Sequence, residues 1–444
     1  MYELIVSETG RSGKGGKKMR RRQVFTVLLL MLTVLCMTAG PALAADTSEH
    51  FRVDSSEYRE VSPGNMRFLT GEPGENYKFR KMSTRYGYPD DYTPNTTGFS
   101  TLNISGSSQY SEGQFRWMAR KIRELAPGKE VYIIDLRQES HGFFDDANNA
   151  DWHGIALSWQ GEHNWANMGK STREVLEDER SRFDATIGKE ITVTGSIGSG
   201  NGGWGGGSFP TDGGSFDGFT RGDSIPDGAT PNGPRDGGRR ERTTTLKVKA
   251  WRSEKELAES EGFHYLRLAI PDRTFPEEEQ IDAFIRLVRS LDMNNSWLHF
   301  HCMAGLGRTG IMMSFYDMMK NPNVPLRDIL ARQTMTGGSY PLSPASREGY
   351  MAKYDEERLR LVPLLYEYVQ ENYKTNFRLP WSKWLALREK QEQGQAGEAV
   401  PVTDPAAEVA KVPKTGDTLD PALCLLLLLV GLSAFFGLKK HYSR

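Results

Sequence analysis

The stretch Ser296-Trp297-Leu298-His299-Phe300-His301-Cys302-Met303-Ala304-Gly305-Leu306-Gly307-Arg308-Thr309-Gly310 leaves the chain little choice of local structure. A short apolar run stops at a cysteine. Two glycines and an arginine follow, and Thr309 opens the apolar-rich run Ile311 to Met319. This reads as a strand, a tight loop and the N-terminus of a helix. Amides in such a loop converge into a nest for an anion, with the helix dipole behind them. The glycines are expected to supply the backbone angles that convergence needs. Arg308 would close the cup with a planar fork matched to phosphate oxygens. At its floor Cys302 would be favoured as thiolate, and so as a nucleophile. A plain core cysteine is the alternative, and it leaves the Cys-x5-Arg-Thr spacing unexplained.

At 444 residues the chain has room for about two to three domains. Its 56 basic and 57 acidic residues nearly cancel, so net charge gives no reason to expect a nucleic-acid partner, and any attraction for an anionic substrate must be local. Of the three cysteines, Cys36 and Cys424 fall in apolar ends. Cys302 is then a single thiol in an exported protein, which is odd unless the thiol has work to do.

The N-terminus reads as a secretory signal peptide over 1–44. Basic residues from Lys17 to Arg22 precede the apolar Val24 to Met37, and Ala42-Leu43-Ala44 gives a small-x-small cleavage site; an uncleaved anchor is the alternative. At the other end Val412-Pro413-Lys414-Thr415-Gly416-Asp417 precedes the apolar run 422–438 and a basic tail. This segment, 412–444, resembles a Gram-positive cell-wall sorting signal, with Val412 where Leu is usual. The resemblance implies sortase and peptidoglycan as partners and an extracellular, cell-wall-anchored protein. A permanent C-terminal transmembrane helix is the alternative.

Between the ends, 45–75 reads as an extended lead-in. Helices are expected over Ser111 to Leu125, Thr172 to Phe183, Glu254 to Glu261, Leu326 to Gln333 and Glu356 to Tyr373, the last kinked at Pro363. Ile281, Phe284, Ile285, Val288 and Leu291 mark another by their spacing. Strands are expected over Val131 to Leu136 and His264 to Ile270. Arg137 to Gly142 places polar groups at a strand's carboxyl end, where α/β folds bind ligands, and 143 to 153 reads as a surface loop. Sixteen of the 44 residues from Gly195 to Gly238 are glycine, which predicts a flexible loop over 195–238. Residues 388–411 read as a linker.

Phosphomonoester cleavage needs an acid for the departing oxygen. Asp272 fits, thirty residues before Cys302 on a loop bounded by Pro271 and Pro276. His301 is expected to bond backbone near the loop and hold Cys302 in place. The Thr309 hydroxyl can bond the leaving sulfur. No Cys/His cluster at zinc spacing and no calcium loop stands out, so no cofactor or metal is expected.

The Cys-x5-Arg-Thr cradle resembles that of the cysteine-dependent phosphatases. Phe79-Arg80, Ser105 to Ser111, Asp135 to Gly142, Ser158 to Lys170, Trp297 to Thr309, Arg332-Gln333 with Gly337-Gly338, and Tyr368 to Asn372 together resemble the bacterial protein-tyrosine-phosphatase-like phytases. The resemblance implies an α/β fold over 76–387: a phosphatase-like central sheet flanked by helices, with a small β-barrel-like inserted domain at 186–250. It also implies stepwise removal of phosphates from inositol hexakisphosphate (phytate) through a phosphocysteine. Catalytic residues would be Cys302, Arg308, Asp272, Thr309 and His301. Substrate would meet Met303, Ala304, Gly305, Leu306 and Gly307 of the loop, and Arg80, Asn164, Arg273 and Arg358 outside it, with Arg239, Arg240 and Arg242 as further basic candidates. Met303, Asn164 and Arg273 replace the family's usual Glu, Asp and His. A protein tyrosine phosphatase, or a surface anion binder without catalysis, are the competing readings.

Overall fold

The computed structural model describes residues 51–195, 243–345 and 348–397. Its strands are β1 (Phe51–Ser55), β2 (Arg67–Leu69), β3 (Ile104–Ser107), β4 (Glu130–Asp135), β5 (Ser140–Asp146), β6 (Ile155–Trp159), β7 (Glu190–Thr194), β8 (Thr243–Arg252), β9 (His264–Arg267) and β10 (Ser296–His301). Its helices are α1 (Glu112–Leu125), α2 (Thr172–Asp184), α3 (Glu254–Ser260), α4 (Glu278–Ser290), α5 (Gly307–Lys320), α6 (Leu326–Met335), α7 (Ala352–Asn372) and α8 (Trp381–Gly397).

Five strands form a sheet in the order β2-β3-β10-β4-β9. β10 runs parallel to β3 and β4 on either side, β9 runs parallel to β4, and only β2 is antiparallel. Strand period two sorts the side chains. Trp297 of β10 joins Val131, Ile133 and the α1 residues Phe115 and Met118 on one face. Leu298 and Phe300 join Ile134, Phe284 of α4 and Phe315 of α5 on the other. With both faces covered, β3 and β10 are buried throughout. The same alternation places His299 and His301 with Trp297, toward Tyr110. Ser111, Ser171 and Ser253 open α1, α2 and α3 with capping boxes, the reciprocal bonds that fix where these helices begin.

The remaining strands close a barrel, β1-β6-β5-β8-β7. Phe51, Phe144, Leu157, Ile191 and Leu246 are among the residues of its core. Only β7 and β8 come from the 186–250 segment in which a barrel-like insert was expected. β1 lies in the supposed lead-in, and β5 runs into the 143–153 stretch read as a surface loop. The lead-in also supplies β2 of the main sheet. The missed strands are five, three, seven and five residues long.

β9 stops at Arg267 instead of reaching Ile270, and α7 starts at Ala352 with Pro363 inside it. The chain divides after Leu387, although α8 continues to Gly397 into the expected linker. Trp381 and Trp384 are buried. The signal peptide, the sorting signal with its 422–438 run, Arg239, Arg240, Arg242 and all but Gly195 of the Gly-rich loop lie outside the described residues. Among those described, no helix is long and apolar enough to cross a membrane.

Candidate active site

Cys302 follows β10 directly and is buried. The loop beyond it folds back over the sulfur, and the Gly305 N–H donates to Cys302 Sγ at 3.2 Å. Four consecutive loop carbonyls are tied outward. Met303 O accepts from Gln109 N at 3.0 Å, Ala304 O from Asn65 Nδ2 at 2.8 Å, and Gly305 O from Arg67 Nη1 at 2.9 Å. Leu306 O accepts from Gly310 N at 3.0 Å and Ser339 N at 3.3 Å. With the carbonyls held away, the intervening amides are free to face an anion. Of the two loop glycines, only Gly305 is left-handed, with φ 71°. A Cβ there would lie 2.4 Å from Ser107 backbone atoms, so no other residue fits. Gly307 instead opens α5 without a left-handed φ, which corrects the expectation that both glycines supply unusual angles.

Arg308 is 2% exposed. Glu139 grips it with both carboxylate oxygens, at 2.8 Å to Nη1 and 2.9 Å to Nη2, and Ile270 O accepts from Nη1 at 2.9 Å. Burial opposes charge on this guanidinium, but Glu139 and Asp272 outweigh it and hold it protonated. Burial likewise pushes the Glu139 carboxyl up, while Arg308 and Arg137 bring it down to about 2. Arg308 Nε and the Thr309 hydroxyl are buried with no hydrogen-bond partner among the described residues.

Asp272 arrives from the other side of the site. Its Oδ1 lies 3.1 Å from Arg308 Nη2, and its side chain is 22% exposed. Asn164 Nδ2 donates to Asp272 Oδ2 at 2.7 Å, and Trp165 Nε1 donates to the Asp272 carbonyl at 2.9 Å. The two segments that meet here are held in unusual backbone: His163, Asn164 and Arg273 have φ of 57°, 65° and 65°. Such angles cost non-glycine residues on the order of 1 kcal/mol or more and persist where the surroundings enforce them. Here Tyr350 stacks on His163 with ring centroids 3.9 Å apart, and Trp165 packs edge-on against Tyr350 and Tyr354.

His301 departs from expectation. Its Nε2 lies 2.5 Å from Glu254 Oε1 and its ring packs on Tyr110, so a buried carboxylate, not backbone, is its neighbour. The cause is strand alternation, which turns His301 to the face opposite the cysteine loop. Behind it Asp135, His141 and Glu254 bring possible metal-ligand atoms within 4.8 Å of one another. The set fits a cation poorly. Arg267 Nη1 lies 3.0 Å from Asp135 Oδ2, Tyr265 donates to the same oxygen at 2.6 Å, and Tyr110 and Gln109 donate to Glu254. Burial and Arg267 work against a proton on His141, but Asp135 prevails and raises it to about 9. A protonated imidazole has no lone pair for a metal. The cluster is a hydrogen-bonded charge network, and Arg267 Nη2 and His141 Nδ1 both donate to Glu139 O, bracing the residue that holds Arg308.

The remaining expected contacts divide. Met303 Sδ accepts from Gln160 Nε2 at 3.6 Å and Asn164 Nδ2 at 3.7 Å, joining the loop to the acid side. Arg80 is exposed, pinned through its N–H to Met335 O, and near enough to Arg67 for the two charges to repel. Arg273 is exposed beside Asp272, with Nη1 3.4 Å from Tyr350 Oη. Arg358 is committed elsewhere: Pro341 O, Ser343 O and Asp355 Oδ1 take its guanidinium, and none of these belongs to the cup. Glu139, Asn65 and Arg67 escaped sequence reading as site residues. Glu139 alone carried a signal, its place in the polar run after β4.

Residues 229–320 match the model of the PTP-like phytase family, described by inositol hexakisphosphate. The structure is similar to the tandemly repeated protein tyrosine phosphatase like phytase from Mitsuokella multacida, with 32% identity, 79% of this chain and 51% of that one covered, and a TM-score of 0.58. It is equally similar (TM-score 0.58, 31% identity, 80% and 52% covered) to the PTP-like myo-inositol phosphatase from Mitsuokella multacida in complex with myo-inositol-(1,3,4,5)-tetrakisphosphate. The effector protein hopD2 of Pseudomonas syringae pv. tomato is 26% identical over 293 residues, 66% of this chain and 53% of that protein. The chain thus spans about half the length of these relatives. Its α/β fold is similar to that of the PTP-like phytase structures, and the match to the family model includes the cup.

Proposed function

We propose that the chain is a cysteine-dependent phosphomonoesterase that removes phosphates stepwise from inositol polyphosphates, inositol hexakisphosphate included. The observation that carries this reading is the 3.1 Å approach of Asp272 to Arg308. It brings a carboxyl from the segment after β9 to the arginine of the Cys302 cup. The Cys302 thiolate attacks phosphorus, an S–P bond forms as the P–O bond breaks, and protonated Asp272 gives its proton to the departing alkoxide oxygen. Arg308 and the loop amides stabilise charge on the transferring phosphoryl. Asp272, now ionised, takes a proton from water as the water oxygen attacks phosphorus. The sulfur leaves as thiolate, and the Thr309 hydroxyl, without a partner among the described residues, is the group assigned to bond it.

The choice of inositol phosphates is supported by the family match and by the ligand in the Mitsuokella multacida complex. Arg80 and Arg273 add exposed positive charge suited to a substrate with several phosphates. The two terminal signals support export and sortase attachment to peptidoglycan, which cell fractionation of a sortase-deficient strain tests. For the chemistry, the full chain and its Cys302→Ser variant are assayed on inositol hexakisphosphate beside a phosphotyrosine peptide. We expect release from the inositol phosphate, absent in the variant. Cleavage of the peptide alone would make the protein a tyrosine phosphatase, and release from neither would leave an anion-binding surface protein.

A further inference from the structure

Arg67 is 4% exposed, and burying a guanidinium without an answering charge is costly. The other deeply buried arginines have carboxylates: Arg137 pairs with Asp54, Arg267 with Asp135, Arg308 with Glu139 and Arg332 with Asp317. Among the described residues Arg67 has none. Its Nη1 donates to Asn65 O at 3.1 Å and Gly305 O at 2.9 Å, its Nη2 lies 3.3 Å from Met313 Sδ, and its Nε has no partner. Burial lowers its proton affinity to about 10, the Cys302 sulfur is the group that opposes this, and Arg80 adds repulsion.

The fold makes a passage for this side chain. Arg67 on β2 is registered against Gly106 on β3. A Cβ at Gly106 would lie 2.6 Å from Met313 Sδ and 3.1 Å from both Arg67 Cζ and Thr309 Cγ2. The missing side chain lets the guanidinium reach the Cys302 loop. There it holds the outer carbonyl of the residue whose N–H points at the sulfur.

We propose that Arg67 is a positioning residue of the cup: its buried charge, which no carboxylate answers, is matched by the Cys302 thiolate, and its grip on Gly305 O aims the amide that faces that sulfur. The other charged groups about the loop are Arg80, Arg308 with Glu139 and Asp272, and, on the opposite face of β10, His301 with Glu254. Arg308 is already answered by its two carboxylates, which leaves Arg67 as the buried cation beside the loop with none among the described residues. The proposal rests on reading Cys302 as the nucleophile. It does not depend on the substrate, so failure to release phosphate from any inositol phosphate leaves it standing.

The test is the rate of iodoacetamide alkylation against pH in the full chain, read on the Cys302 peptide by mass spectrometry so that Cys36 and Cys424 do not contribute. We expect Arg67→Met and Arg67→Gln to slow alkylation at pH 6 by about tenfold or more, converging on wild type above about pH 9. Arg67→Lys, which keeps the charge without the fork, recovers most of the loss. A merely structural role would make Lys fail with Met and leave the shape of the profile unchanged. Folded Met or Gln variants that alkylate with the wild-type profile would overturn the proposal. Should both fail to fold, Gly106→Ala displaces the guanidinium with Arg67 retained. It is expected to show the same slowing, and a wild-type profile in that variant would equally overturn the proposal.

Discussion

The cup wall and the acid wall of the site are held by different means. The cup is one continuous stretch of chain with Cys302, Gly305, Arg308 and Thr309 buried, and its carbonyls are tied outward by Gln109, Asn65, Arg67 and Ser339. Its arginine sits in a carboxylate fork braced from behind by Arg267 and His141. The acid wall is a single side chain, partly exposed, held by one amide from the 163–165 turn and one ion pair, on backbone kept in left-handed angles by aromatic stacking. A preorganised cup serves every phosphomonoester alike, since the charge it meets is the same. An acid matters in proportion to how poor the leaving group is. In the proposed reaction the lightly held carboxyl is the part that would yield as a phosphate takes its place at Arg308.

The largest effect that would separate the walls is at Arg308. Arg308→Lys loses the fork, and we expect turnover to fall by about 10³-fold or more on every phosphomonoester, good leaving group or poor. Asp272→Asn should cost about 10²–10³-fold on inositol phosphates but little on p-nitrophenyl phosphate, whose oxygen leaves without a proton. Equal losses on both substrates would dissolve the distinction drawn above.

Glu139→Gln reads the cup as a stability element. Breaking a buried pair should cost about 3 kcal/mol at neutral pH in chemical denaturation. The folded Glu139 carboxyl, at about 2, lies below its ordinary 4.5. Its contribution is then complete above pH 4.5 and is lost as pH falls from 4.5 toward 2. The gap between wild type and variant should close across that window. A gap that widens there would show that the carboxylate is not what holds Arg308. The smallest effect concerns the acid's tether. Asn164→Ala should lower kcat on inositol phosphates by roughly tenfold, one hydrogen bond to a charged group. It should leave iodoacetamide alkylation of Cys302 unchanged, and a matching fall in alkylation would mean that the two walls are coupled.

The same contrast sets what could be read beforehand. The cup's chemistry is local: a strand, two glycines and an arginine at fixed spacing determine a loop, and Cys302, Arg308 and Thr309 fall within it. Asp272 was legible from its position on a proline-bounded loop after a strand. The supports of the cup were not, because they come from elements distant in the chain whose own pattern is faint. Asn65 and Arg67 sit in a stretch of low hydrophobicity that passes for a leader, and their role depends on β2 pairing with β3 opposite a glycine. His301 was misjudged because strand parity, not proximity in sequence, decides which face a residue occupies. Arg358 was carried over by resemblance alone, and nearby carbonyls with Asp355 claim it. In the barrel, β7 and β8 fall where an insert was expected, while β1, β5 and β6 come from earlier in the chain, in stretches read as a lead-in, a surface loop or not as strands at all.

The proposed chemistry rests on a covalent bond to one sulfur, and that bond can be looked for directly. The full chain is mixed with inositol hexakisphosphate, quenched in acid within a turnover, digested, and its Cys302 peptide weighed. We predict a fraction of that peptide carrying one added phosphate and none in Cys302→Ser; with p-nitrophenyl phosphate, whose oxygen leaves without a proton, the fraction should be larger in Asp272→Asn, where hydrolysis of the intermediate lacks its base. Steady release of inorganic phosphate with Cys302 never phosphorylated, or undiminished in the serine variant, would contradict it.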